Sequence, residues 1–111
     1  MIEEIIRNYL LSVLDVPVYI DVPAEPPESY VAIERTGGGM DEHIRRADVV
    51  ISSYGASRYG AAVLHERVLA AMPNIATGDV ISACDINSEY DNTDLETKRY
   101  RYEAYYNIIY Y

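Results

Sequence analysis

The chain ends on "RYRYEAYYNIIYY", and this stretch constrains the fold more than any other. Tyr100, Tyr102, Ala104, Tyr106, Ile108 and Tyr110 are all apolar or aromatic, while Arg99, Arg101, Glu103 and Asn107 alternate with them. A period of two belongs to a strand. With one face apolar over its whole length, that strand needs a sheet around it and a second layer above it.

The rest of the chain supplies both. Ile2, Ile5, Ile6, Tyr9, Leu10, Val13 and Leu14 recur at the spacing of one helical face, with Glu3 and Glu4 in the first turn where the helix dipole favours anions. This helix is expected to stop near Asp15, because Pro17 disfavours helical geometry in the residue before it. "VPVYIDV" reads as a short extended segment and "PAEPPES" as a connection. "SYVAIERT" and "ADVVISSYG" are strands of a hairpin, and the ten or so residues between them, "GGGMDEHIRR", read as an enlarged loop.

Ser57 is placed to cap a second helix, in which Ala61, Leu64, Val68, Ala71 and Met72 form the apolar stripe and Pro73 the stop. "GDVISACDI" is a further strand, and "NSEYDNTDLETK" a polar connection to the last one. The order suits an α+β fold: a single layer of mostly antiparallel or mixed sheet with two helices on one face. At 111 residues, with no repeat and no dividing linker, it makes one domain, 1–111.

Charge narrows the function. Nine basic against eighteen acidic residues give a net charge of −9, which disfavours nucleic-acid binding as the main activity. Cys84 is the lone cysteine and sits mid-strand, so no internal disulfide forms and a buried, apolar role is expected. The first helix carries Glu3, Glu4 and Arg7, which speaks against a signal peptide or membrane span.

"RTGGGMDEH" follows a strand as a phosphate-binding loop would. It lacks the Lys-Ser/Thr ending, however, and places Asp41 and Glu42 where an anion would sit. His43 and His65 have no companion ligands at metal-binding spacing, and no Ser or Cys is accompanied by a sequence signature for a general base. No catalytic residue, metal or other cofactor is expected. The basic residues are more clustered than the acidic ones. Arg35, Arg45 and Arg46 bracket the glycine loop, Arg58 and Arg67 stand on the second helix, and Lys98, Arg99 and Arg101 open the last strand. Such an asymmetry suits head-to-tail charge pairing between identical subunits, though solvated arginines explain it equally. On the first reading Gly37, Gly38 and Gly39 release the loop from the sheet, and Met40 and Ile44 add apolar contact.

"VYIDVPAEPPESYVAIERTGGG", "VVISSYGASRYGAAVLHERVLAAM" and "NSEYDNTDLETKRYRYEAYYNIIYY" together resemble the tail-terminator, or tail-completion, proteins of long-tailed bacteriophages and prophages. The resemblance covers nearly the whole chain and carries no catalytic residue. It implies a virion protein, assembled in the cytoplasm of the bacterial host into a homo-oligomeric ring, commonly a hexamer. Such a ring caps the head-proximal end of the tail tube, ends tube polymerisation and meets the neck. It also implies that DNA passes the lumen without specific binding, and that a tube protein and a neck connector are the partners. Two alternatives stand beside it: a neck adaptor on the portal side, and a small acidic hydrolase or metal-binding domain using His43, His65 and nearby carboxylates.

Overall fold

One strand organises the molecule. In the computed structural model, which describes residues 1–78 and 80–111, the chain runs α1 (Ile2–Val13), β1 (Val18–Tyr19), β2 (Tyr30–Asp41), β3 (Ile44–Gly55), α2 (Arg58–Ala71), a 3-10 segment (Met72–Thr77), β4 (Ile81–Asp91) and β5 (Tyr100–Tyr110). The sheet order is β1-β2-β3-β5-β4, with only the β1–β2 pair parallel. β3 is therefore central and bonded along nearly its whole length on both sides.

Register explains the two faces. Ala47 lies opposite Ile108, Val49 opposite Tyr106 and Ile51 opposite Ala104, so the odd positions of β3 and the even positions of β5 share a face. That is the face the sequence alternation predicts, and both helices cover it. Ile2, Ile6 and Leu10 of α1 and Leu64 and Val68 of α2, with Met72 just beyond, join those strand residues in one buried core. Tyr9 ties the two helical segments by donating its hydroxyl to the Ala71 carbonyl at 2.6 Å. The fold is α+β, as the sequence predicts.

Local chemistry sets the element ends. α1 stops at Val13, two residues before the expected Asp15, with Leu14 already extended. Ser57 caps α2 by accepting a hydrogen bond from the Gly60 N–H at 3.0 Å. Pro73 ends the α-helix as expected, but the chain tightens into the 3-10 turn rather than leaving the core, which buries Ile75 as well. At Gly55 strand passes into helix so tightly that an added Cβ would stand 2.4 Å from the Ala61 backbone nitrogen, which no side chain permits.

The expected ten-residue loop at Gly37–Arg46 is not there. Gly37 pairs with Asp48, Gly38 with Ala47, Gly39 with Arg46, Met40 with Arg45 and Asp41 with Ile44. The turn is only Glu42 and His43, at φ 47° and 73°. The physical reason is that ladder bonds need backbone groups, which glycine supplies as well as any residue. A bulge at Thr36, between the Arg35–Val49 and Gly37–Asp48 pairs, absorbs the extra residue. Gly38, at φ 154°, passes where a side chain would collide with the Arg46 carbonyl.

The expected polar connection "NSEYDNTDLETK" is also shorter, since β4 continues through Asn87–Asp91 as an edge strand against β5. There the solvated outer side tolerates polar residues.

Two left-handed, non-glycine residues in the turn carry steric cost. Glu42→Asn with His43→Gly, the preferred pair for this geometry, is expected to stabilise the fold by about 1 kcal/mol. Urea denaturation at unchanged slope measures it.

Candidate assembly surface

The residues singled out by sequence do not converge on one place. They form two groups at opposite ends of a molecule 45 Å long and about half as wide. From Arg45, opposite Tyr110, to Tyr54, opposite Arg101, β3 runs roughly 30 Å at about 3.3 Å per residue.

The first group is the outer part of the β2–β3 ribbon, where Glu34 to Arg46 are all exposed. Met40 is 69% exposed and Ile44 44%, and the pairing puts them on opposite faces of the ribbon, since Met40 is opposite Arg45 and Ile44 opposite Asp41. Arg35 folds back to donate to the Gly37 carbonyl at 3.1 Å, and with Arg45 it borders shallow cavities beside Tyr110. Arg46 stands 3.9 Å from Asp48, an exposed pair worth little. Asp41 and Glu42 at the apex have no ion-pair partner among the described residues.

At the other end β5 begins. Tyr30 and Tyr54, cross-strand neighbours, stack at 4.3 Å between ring centroids and 10° between planes. The Arg99 and Arg101 guanidiniums lie 5.6 and 5.8 Å from the Tyr54 ring centre, within cation–π range. Arg99 donates to the Tyr30 hydroxyl at 3.1 Å and Arg101 to the Tyr54 hydroxyl at 3.2 Å. Burial pushes the Tyr30 phenol up, with Tyr54 adding and Arg99 opposing. Burial works against the Arg101 charge too, but the Tyr54 hydroxyl, Glu103 and Asp94 outweigh it. Beside these rings lies a cavity of 280 Å³ bordered by Pro26, Pro27, Lys98 and Arg99. Arg58 is apart from this group, bound to Asp91 at 3.3 Å on the helix-covered side.

Sequence reasoning missed an apolar exposed face. α2 carries Tyr59, Ala62, Val63 and Ala70 outward, around an apolar depression of 480 Å³, with Tyr59 81% exposed. The signal was present, because a helix that is apolar on both sides has little amphipathic character and invites a second contact. The sheet likewise has unpaired edges, from Ile33 to Asp41 of β2 and along all of β4. Bulges at Thr36, Ser82 and Asn87 distort those edges.

The residues of the hydrolase or metal alternative are dispersed. His43 sits in the exposed ribbon turn, whereas His65 is 2% exposed on the buried side of α2 and binds Glu89 at 2.9 Å. Among the described residues no three His, Cys, Asp or Glu side chains stand together as a metal site would require. Cys84 is half-buried, and burial, with Asp85 adding, pushes its thiol up to about 11. That is opposite to the direction a nucleophile needs. No helix is long and apolar enough to cross a membrane among the described residues. No known family model matches the chain, and no curated protein matches it.

The raised thiol has a measurable consequence. At pH 8 Cys84 should react with a disulfide reagent on the order of a hundredfold more slowly than a free cysteine of pKa near 8.5, and accelerate up to about pH 11. Stopped-flow absorbance under native conditions measures this, with the urea-unfolded chain as reference.

Proposed function

We propose that the chain is a non-enzymatic structural subunit of a long-tailed phage or prophage, forming a ring that caps the head-proximal end of the tail tube. The supporting observation is the division of its contact surfaces. A ribbon whose apex carries Asp41 and Glu42 beside exposed Met40 and Ile44 stands at one end and a tyrosine–arginine cluster at the other, and the two ends are chemically unlike. Unlike end groups favour heterologous, head-to-tail contacts, which give rings when the rotation closes.

The apolar outer side of α2 and the two unpaired sheet edges add surface for neighbours or for the tube. Net charge of −9 fits a lumen through which DNA slides without sticking. The sequence resemblance to tail-terminator proteins supplies the place in the virion.

Native mass measurement of the chain alone and with tail-tube protein tests the proposal. A discrete ring-sized particle is expected, and tube length should fall as the chain is titrated into polymerising tube protein. A monomer that leaves tube growth unchanged overturns it.

A further inference from the structure

The tyrosine–arginine cluster is the densest positive site on a chain with twice as many acids as bases. Lys98, Arg99 and Arg101 fall within four residues, and none has a carboxylate within 4 Å among the described residues. Arg101 feels Glu103 and Asp94 at longer range, which leaves Lys98 and Arg99 as the charges without an answer. Both are exposed, beside the 280 Å³ cavity. That volume corresponds to about nine waters, enough for a carboxylate side chain. The arginines are held by tyrosine hydroxyls and a stacked ring, so little side-chain entropy is lost when an anion arrives.

The ribbon apex has the opposite character. Asp41 and Glu42 are adjacent, exposed and unpaired, on a two-residue turn whose backbone is fixed by the Asp41–Ile44 pair. Met40 and Ile44 flank them, as Pro26 and Pro27 flank the cavity. The two features cannot meet within one molecule, because the sheet holds them at its opposite ends.

We propose that the cavity beside Tyr54 receives the Glu42–His43 turn of a second copy, the Asp41 and Glu42 carboxylates facing Lys98 and Arg99 and Ile44, on the same ribbon face as Asp41, meeting the proline wall. The contact rests on the ring reading above and names its joint. It is directional, since each copy presents one turn and one cavity, so it can propagate from copy to copy.

Cross-linking between single-cysteine variants tests it. In a background with Cys84→Ala, one population carries His43→Cys in the turn and another Ala56→Cys in the cavity wall, and the two are mixed at equal concentration and mildly oxidised. A heterodimer well above both homodimers is expected, at least fivefold over a control mixture of His43→Cys with Glu3→Cys. Adding Arg99→Glu to the Ala56→Cys chain should return the yield to the control level, and adding Glu42→Arg to the His43→Cys chain should then restore it. Heterodimer no greater than the control overturns the contact, as does a yield indifferent to Arg99→Glu. Competition by short duplex DNA but not by poly-glutamate would assign the cavity to a phosphate backbone, and also overturns it. If rings form on the tube while the cross-link fails, the ring reading survives and only this joint is lost.

Discussion

The structure depends on β3 being paired on both sides. Its register against β5 places Ala47, Val49 and Ile51 beneath the helices together with Ala104, Tyr106 and Ile108. A slip by one residue would turn every one of these to the opposite face. Its register against β2 is protected differently, by a bulge at Thr36 that lets a twelve-residue strand stay in step past the glycines. With β3 fixed, α2 must leave at Gly55 and return along the sheet, and the 3-10 turn delivers the chain to the outer edge as β4. The two ends of the sheet are then chemically unlike because β3 begins in the exposed ribbon and ends beside Tyr30 and the start of β5.

Much of this was legible because side-chain pattern reports burial. The alternation of Tyr106, Ile108 and Tyr110 identified β5 and its inward face, the stripe from Ala61 to Met72 identified the buried side of α2, and Ser57 identified its cap. What failed to be legible was structure held by backbone alone. Gly37, Gly38 and Gly39 have no side chain to pattern, and Asp41, Glu42 and Arg45 are solvated on a ribbon covered by neither helix, so a paired ladder there reads as loop. β4 fails for a related reason: it is an edge strand, and beyond Ile86 the polar run Ser88, Glu89 and Asp91 reads as a connection although its backbone pairs with β5. His65 is buried on the inner side of α2, and its partner Glu89 comes from that unrecognised part of the strand.

The candidate surface shows the same division. Clustering of arginines in the sequence singled out Arg99 and Arg101, but it could not separate them from Arg35, Arg45 and Arg46, which the fold places at the far end. Arg58 shares their charge and not their situation, since Asp91 already answers it. The tyrosines that give the cluster its rigidity, Tyr30 and Tyr54, come from strands distant in sequence and were visible only as strand residues.

Why such a chain should leave so much surface unanswered follows from its size. A domain of this length buries a modest fraction of its surface, so its own stability leaves little margin. Apolar groups on the outside of α2 and cations without counter-ions contribute nothing to that margin in the isolated subunit. In the proposed ring each would gain a partner, and the free energy would appear as association rather than folding. The separation of acidic apex and basic cluster by the length of β3 also prevents the chain from neutralising itself. A doubly paired central strand is thus the feature that keeps the two ends apart, and it couples the centre of the fold to the surface that the proposed function uses.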